Sequence, residues 1–361
     1  MSSSNPFSSF QHRSDLAAQH PLAGLSHVKG KTESKLSTAT IGSLLDKAVE
    51  QAGCNEAFFF VEHRVRWTWQ EFSTEVEKVA AGLLSMGVQR GERVGIWSPN
   101  RPEWVLTQFA TARIGAVLVN INPAYQVAEL EYALNKASVK VLIAAEGVKT
   151  SNYLDILNRL APELQHAEPA RLKLARLPHL QSIVQLSKSR HPGTYTFDQL
   201  REMAGPAQVA RLAVVGAGLD CFDSINVQFT SGTTGHPKGA TLSHHNVVNN
   251  ARAVANAMRL GSRDRLCVPV PLYHCFGMVL AVLACTATPC CMVFPGESFD
   301  PAETLEAVAT ERCTALHGVP TMFVAMLGVP DFAAYDLSSL RTGIMAGSPC
   351  PIETMKRVVA D

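Results

Sequence analysis

The sequence predicts an α/β fold in which mostly parallel sheets are covered by helices. Short apolar runs rich in β-branched residues recur from Thr38 to the end of the chain, and patterns of helical period separate them. The 361 residues suffice for two or three packed subdomains. Strands of a parallel sheet are buried on both faces and therefore consist of near-continuous apolar runs. The alternation thus indicates parallel strands joined by helices.

The expected strands are short, apolar and mostly followed by a helical pattern. They lie at residues 93–97, 116–121, 139–144, 182–185, 225–230, 265–270, 290–294, 314–317 and 341–346. A helix is expected to start after Thr68, which forms a capping box with Glu71, and to end at Gly87. Between residues 146 and 223 the pattern loosens around several prolines, so a subdomain boundary is expected there.

Composition restricts the class of partner. Hydrophobic residues make up 47% of the chain and charged residues 17%, and the net charge is +1. Such a chain is too apolar for disorder and lacks the positive field that collects nucleic acid. The nine cysteines show no Cys-x-x-Cys spacing, so neither a disulfide framework nor a zinc site is expected. Small molecules are therefore the expected partners. No metal site built from protein ligands is expected.

Two segments, the most apolar stretch and the N-terminus, indicate where in the cell the protein is expected. The apolar run at 276–287 has about a dozen residues, whereas a bilayer-spanning helix needs roughly 20. A buried helix, and no transmembrane segment, is therefore expected. Residues 1–37 are rich in Ser, His and Ala and have no secretory hydrophobic core. They form either an organellar targeting segment or a disordered tail.

One ten-residue segment gives the clearest chemical signal. It consists of Thr230, Ser231, Gly232, Thr233, Thr234, Gly235, His236, Pro237, Lys238 and Gly239. Its glycines permit positive φ and close approach, so that successive backbone N–H groups can face one anion. Its hydroxyls add donors, and Lys238 adds a point charge suited to phosphate. With a strand before it and a helix expected from about Ser243, the segment predicts a triphosphate-binding loop.

Two common nucleotide motifs do not fit this loop. Pro237 precedes Lys238 and Gly239 follows it, so the Gly-x-x-x-x-Gly-Lys-Ser/Thr pattern and its magnesium-binding hydroxyl are missing. The Gly-x-Gly-x-x-Gly fingerprint of dinucleotide-binding proteins does not occur in the segment either. A typical kinase or GTPase and a nicotinamide-dependent enzyme are therefore disfavoured.

The same segment is similar to the signature Thr-Ser-Gly-Thr-Thr-Gly-x-Pro-Lys-Gly of the adenylate-forming superfamily. That superfamily comprises acyl-CoA synthetases, luciferases and the adenylation domains of peptide synthetases. Residues 271–277, Pro-Leu-Tyr-His-Cys-Phe-Gly, resemble a second element of the family, and residues 344–351 resemble its adenine-binding turn. Residues 122–125, Asn-Pro-Ala-Tyr, are similar to acyl-CoA synthetases. The resemblance covers residue 38 to the end.

The resemblance implies a reaction and a site. A fatty acid would react with ATP and Mg²⁺ to give an acyl-adenylate, and coenzyme A would then take the acyl group. Catalytic roles fall on His274 and Lys238. The implied nucleotide-binding residues are Thr230, Ser231, Gly232, Thr233, Thr234, Gly235, His236, Pro237, Lys238, Gly347, Ser348 and Pro349. The implied substrate-binding residues are Tyr273, His274, Phe276 and Gly318.

The resemblance also implies an organisation. Residues 38–361 would be part of the large N-terminal AMP-binding domain, and the family's small C-terminal domain would be absent. The chain by itself is therefore expected to form adenylate negligibly. The amino-acid sequence as a whole is most similar to mitochondrial acyl-CoA synthetases that favour medium-chain acids. This similarity implies that the protein is located in the mitochondrial matrix, with the cytoplasm as the alternative. A truncated, non-catalytic nucleotide-binding protein and an amino-acid-activating or luciferase-like enzyme stay open as other functions.

Overall fold

The computed structural model describes residues 35–230 and 237–360. Fifteen strands occur within these residues. In chain order they are β1 (Glu56–Phe60), β2 (Val65–Thr68), β3 (Arg93–Trp97), β4 (Val117–Ile121), β5 (Val139–Ala144), β6 (Gly147–Val148), β7 (Ser151–Asn152), β8 (Ser182–Gln185), β9 (Tyr195–Thr196), β10 (Ser224–Thr230), β11 (Lys238–Ser243), β12 (Arg265–Cys267), β13 (Cys291–Phe294), β14 (Ala315–Gly318) and β15 (Thr342–Met345).

Twelve α-helices accompany the strands in the same part of the chain. They are α1 (Ile41–Ala52), α2 (Trp69–Ser85), α3 (Pro102–Arg113), α4 (Val127–Lys136), α5 (Tyr153–Leu160), α6 (Phe197–Glu202), α7 (Pro206–Ala217), α8 (His244–Ala257), α9 (Ala284–Ala287), α10 (Pro301–Thr310), α11 (Pro320–Leu327) and α12 (Ile352–Ala360). A π-helix, Phe276–Leu283, leads directly into α9, and 3₁₀ turns lie at Pro162–His166 and Phe332–Ala334.

The strands form two large sheets. The first has six strands in the order β15-β14-β12-β13-β1-β2, and the second has seven in the order β11-β10-β4-β3-β5-β8-β9. In each sheet the neighbours run parallel except for one edge pair, β1 with β2 and β10 with β11. All nine strands expected from the sequence are present, with ends shifted by at most a few residues. The predicted fold class is thereby confirmed.

Helices α2 and α3 pack together in the core. A capping box explains where α2 begins. The Thr68 hydroxyl accepts a hydrogen bond from the Glu71 N–H at 3.2 Å, and the Glu71 carboxylate accepts one from the Thr68 N–H at 2.8 Å. The helix ends at Ser85, and Gly87 follows in the left-handed region at φ +79°. Aromatic rings of Phe72 and Phe109 join the two helices edge to face at 5.1 Å.

Residues 146–223, where the sequence indicates a subdomain boundary, continue the second sheet. Strand β8 pairs with β5 and β9 pairs with β8, so the sheet extends through this segment. The Tyr153 ring of α5 stacks on Trp97 of β3, with 3.6 Å between ring centroids. The division of the chain into domains stays a prediction.

Residues 230–239, the predicted triphosphate-binding segment, are called the glycine-rich loop below, and their neighbours in the fold differ from the expected ones. We expected a loop between a strand and a helix, but β11 intervenes and pairs antiparallel with β10, in a register that places Thr230 opposite Lys238. The expected helix does start after Ser243, whose hydroxyl accepts the Asn246 N–H at 3.2 Å. The β11 segment escaped the sequence reasoning because it is an exposed edge strand and carries no apolar run.

The apolar run at 276–287 is a buried helix, as predicted. It comprises the π-helix Phe276–Leu283 and α9, and most of its side chains are inaccessible to solvent. Across the described ranges, no helix combines the length and apolar character that crossing a membrane requires.

Candidate active site

The carboxyl ends of strands from both sheets meet around a cavity of about 240 Å³. Its lining residues are Asn120, Asn122, Tyr125, Gln228, Phe229, Thr230, Pro237, Tyr273 and His274. They come from the ends of β4 and β10 in the second sheet and from the loop after β12 in the first. In open α/β sheets, ligands bind outside the carboxyl ends of the strands. The described residues that line this cavity carry no carboxylate, which suits an anionic ligand.

The glycine-rich loop begins and ends at this cavity. Thr230 and Pro237 both line it, and the Thr230 hydroxyl donates to the Lys238 carbonyl at 3.4 Å. Lys238 lies exposed at the start of β11. The other residues predicted to bind phosphate, Ser231, Gly232, Thr233, Thr234, Gly235 and His236, lie outside the described residues. Their roles stay predictions.

Helix α4 contacts the loop where it leaves the cavity. The Tyr132 hydroxyl donates to the Pro237 carbonyl at 3.1 Å. Tyr125, one residue before the capping position of α4, lines the cavity, and burial together with Glu129 and Tyr273 raises the pKa of its phenol. Neither tyrosine was among the predicted site residues. The resemblance of residues 122–125 to acyl-CoA synthetases was the signal that could have marked Tyr125 as one.

His274 is oriented by its own backbone. Its Nδ1 accepts the Phe276 N–H at 3.1 Å, so in the neutral ring the hydrogen is on Nε2. Burial lowers the pKa of this imidazole below its ordinary value. At neutral pH the ring is therefore uncharged and can donate from Nε2. Such a donor in the wall of the cavity can stabilise charge on a carboxylate or a phosphate oxygen.

Gly277 permits the tight turn that carries His274. A Cβ at this position would lie 2.4 Å from the Pro271 carbonyl oxygen and 2.8 Å from its carbon, and both atoms belong to the backbone. Gly277→Ala is expected to lower the free energy of unfolding by about 1–3 kcal/mol, because the chain must shift to relieve this overlap. Urea unfolding followed by circular dichroism measures the change.

Gly216→Ala is the matched control for Gly277→Ala. Gly216 lies within α7, and a Cβ there would meet only the Arg113 carbonyl oxygen, at 4.0 Å. This variant should be as stable as the unmodified protein or slightly more so, because alanine favours helix. Equal stability of the two variants would contradict the close approach at Gly277.

The predicted adenine turn lies at the end of β15. Gly347 adopts φ +93°, where glycine is favoured, and residues 347–349 are exposed. The Ala346 N–H donates to the Gly318 carbonyl at 3.2 Å, which ties this turn to the end of β14. Because β12, β14 and β15 run parallel in one sheet, the turn lies at the same sheet edge as the His274 loop. It does not line the 240 Å³ cavity.

Two of the predicted substrate-binding residues, Phe276 and Gly318, do not line the cavity. Phe276 is 5% exposed, and its ring centroid lies 5.2 Å from that of His317. Gly318 packs against Phe323, whose ring would be 2.8 Å from a Cβ at this position. Tyr273 and His274 do line the cavity. The structure thus brings together Tyr273, His274 and the two ends of the glycine-rich loop, while the roles of Phe276 and Gly318 stay predictions.

The fold and this cavity define an α/β protein whose site suits a phosphorylated ligand. The AMP-binding enzyme family model matches residues 45–361, and the chain belongs to that family. The predicted membership of the adenylate-forming superfamily is thereby confirmed.

Two relatives and two solved structures illustrate the relationship. The chain is 46% identical to YngI of Bacillus subtilis (strain 168), assigned to the acyl-CoA synthetases, over 321 residues covering 89% of this chain and 58% of YngI. It is 43% identical to the mitochondrial medium-chain acyl-CoA ligase ACSF2 of Danio rerio, over 94% of this chain and 56% of that protein. The anthranilate CoA ligase AuaEII with bound anthranoyl-AMP matches with a TM-score of 0.77 at 24% identity, over 90% of this chain and 58% of AuaEII. The N-terminal domain of FACL13 from Mycobacterium tuberculosis gives 0.72 at 24% identity, over 89% and 73%.

The chain spans little more than half the length of these curated relatives. The solved structures support the fold alone at this level of identity. What the complete protein acts on is therefore a matter for proposal.

Proposed function

We propose that the protein activates a fatty acid with ATP to form an acyl-adenylate and then transfers the acyl group to coenzyme A. The observation that carries this proposal is the 240 Å³ cavity, where both ends of the glycine-rich loop lie beside His274. A carboxylate and an α-phosphate must meet for adenylate to form. A cavity between the predicted phosphate-binding loop and a neutral donor would allow that arrangement.

The roles of individual residues follow from their chemistry. The hydroxyl of Thr230 and those of the loop after it would donate to the β- and γ-phosphates, with Lys238 adding positive charge. The Nε2–H of His274 would donate to the acid or to the α-phosphate. Mg²⁺ would neutralise charge on the phosphates and would enter with ATP. Reaction of this kind depends on positioning and charge neutralisation more than on a protein nucleophile.

Substrate class and compartment rest on the relatives. ACSF2 proteins of Danio rerio and Homo sapiens are named as mitochondrial medium-chain ligases, and they are 43% and 40% identical to this chain. We infer a medium-chain acid and the mitochondrial matrix on that basis. Similarity to a bacterial protein at 46% means that family membership does not fix the compartment, so the cytoplasm is the alternative.

Pyrophosphate release from MgATP, measured with saturated fatty acids of increasing length, tests the proposal. The protein should be purified at the full length at which its cell produces it. Release is expected to require an acid, to be fastest with medium chains, and to fall at least ~100-fold in the double variant Lys238→Ala/Thr234→Ala, which removes a charge and a donor from the loop.

Lys47→Ala/Thr74→Ala is the matched control for the loop variant. Both residues are exposed, on α1 and α2, and neither lines the cavity. This double variant should release pyrophosphate at the unmodified rate. Nucleotide binding without release for any acid would favour a non-catalytic nucleotide-binding protein, and release only with amino acids would favour an amino-acid-activating enzyme.

A further inference from the structure

Buried side-chain amides form a hydrogen-bonded chain that includes Asn120, in the wall of the cavity. The side-chain amide of Asn226 in β10 donates to the side-chain oxygen Oδ1 of Asn120 in β4 at 2.8 Å, and the side-chain amide of Asn120 donates to the Tyr273 backbone carbonyl at 2.9 Å. Asn226 is 1% exposed and Asn120 is 2% exposed. The chain starts in the strand that leads into the glycine-rich loop. It ends in the residue before His274, on a loop of the other sheet.

Met278 is a second junction of the same network. Its sulfur accepts from the Asn120 amide at 3.1 Å and from the Gln228 amide at 3.3 Å. Its backbone carbonyl accepts from the Gln108 amide at 3.2 Å. The π-helix that follows His274 is thereby tied to β4, β10 and α3. Thioether sulfur is a weak acceptor, so the convergence of two amides on it fixes direction more than it adds stability.

Asn120 uses its amide hydrogens to link its own sheet to the segment that follows β12 of the other sheet, and its oxygen to bond the neighbouring strand β10. Both hydrogens of its amide are donated, to Tyr273 and Met278, and its oxygen accepts from Asn226. Burying amides is costly unless they are satisfied, and the Asn226 oxygen has no partner among the described residues. Leucine would fill a similar volume without that cost. The amides are therefore better explained by the geometry they impose than by stability.

We propose that Asn120 is a positioning residue, which holds the His274 loop of one sheet at a fixed place relative to the strand that enters the glycine-rich loop of the other. The inference rests on the proposed function, because it assigns ATP to the β10 side of the cavity and the acid to the His274 side. Asn120 lines the cavity, but its amide hydrogens and its oxygen are engaged with protein groups, so it acts through the Tyr273 carbonyl and the next residue. A small displacement of His274 then separates the reacting groups.

Asn120→Leu tests this proposal in the full-length protein. The rate constant of adenylate formation is expected to fall ~10- to 100-fold while the KM for ATP changes by less than ~threefold, because alignment is lost and nucleotide binding is kept. Combined with His274→Ala, the substitution should cost nothing further, since its effect operates through His274. Losses that multiply in the double variant would overturn the proposal.

Two further variants separate positioning from general destabilisation. Thr111→Val removes a buried hydroxyl that donates to the Thr107 and Gln108 carbonyls within α3, and adenylate formation should keep its unmodified rate. An equal slowing by Thr111→Val would overturn the proposal. Met278→Leu conserves volume but removes the sulfur acceptor, and it should slow the reaction ~3- to 10-fold even if Asn120→Leu fails to fold. An unchanged rate in Met278→Leu would count against the network.

A substrate-free measurement distinguishes failure of this inference from failure of the proposed function. The ¹H–¹³C NMR signal of the His274 ring should shift in Asn120→Leu and stay in place in Thr111→Val. An unmoved His274 signal in Asn120→Leu would overturn the positioning role whatever the activity. If the unmodified protein forms no adenylate with any acid, the proposed function fails, and the role of Asn120 in it fails for that separate reason.

Discussion

Replacing His274 by alanine is expected to slow acyl-adenylate formation about 100- to 1,000-fold, the usual cost of removing one donor aimed at developing charge. Because Nδ1 accepts the Phe276 N–H at 3.1 Å, the ring presents Nε2 as its donor. Alanine leaves the oxygen that gains charge without this partner. Single-turnover measurement of adenylate, with ATP and acid both saturating, isolates the step from binding and product release.

The pH dependence gives an independent check on the role of His274. Protonation would place a hydrogen on Nδ1, facing the Phe276 N–H, and would break the bond that orients the ring. Because burial lowers the pKa of His274, the ring stays neutral until the pH falls below the ordinary pKa of histidine. The unmodified protein should therefore lose activity on the acid side, and His274→Ala should lack that loss. His245→Ala, on the neighbouring helix α8, is the control and should behave as unmodified.

A rate of adenylate formation in His274→Ala within ~threefold of the unmodified rate would contradict the role assigned to His274.

Acid is expected to destabilise the fold through two buried histidines, His244 and His317. Each is fully buried, and burial lowers the pKa of each to about 4. In the unfolded chain the pKa returns to about 6.5. The unfolded state therefore binds more protons between these values, and stability falls as the pH falls through that window. Full protonation costs about 3 kcal/mol for each histidine, or about 6 kcal/mol together.

Urea unfolding at pH 7, 6, 5 and 4 measures this loss, and two variants assign it. His244→Asn keeps an acceptor for the Ile41 N–H, which His244 Nδ1 now accepts at 3.1 Å. His317→Gln keeps a donor for the Leu280 carbonyl, 3.1 Å from His317 Nε2. Each variant should remove about half of the pH dependence, and His245→Gln should remove none. A pH dependence that survives in the double variant would show that other groups cause it.

The sequence by itself determined the fold class and nine of the fifteen described strands, and it predicts the chemistry of the glycine-rich loop. Parallel strands buried on both faces require apolar runs, so β3, β5 and β8 could be placed without the structure. The capping box at Thr68 fixed the start of α2, because it satisfies N–H groups that the helix leaves open. Glycine, hydroxyl and lysine in one order predicted a phosphate loop, since anion binding needs those groups.

Only the tertiary structure decided which of these residues meet. The 240 Å³ cavity joins the end of β10 to a loop of the other sheet, and the two segments are more than 40 residues apart. No local pattern records such a contact. The amides of Asn120 and Asn226 look like ordinary polar residues within apolar strands, and their roles depend on partners brought close by sheet packing. The edge strand β11 was missed for a related reason. It carries no apolar run, and only its pairing with β10 makes it a strand.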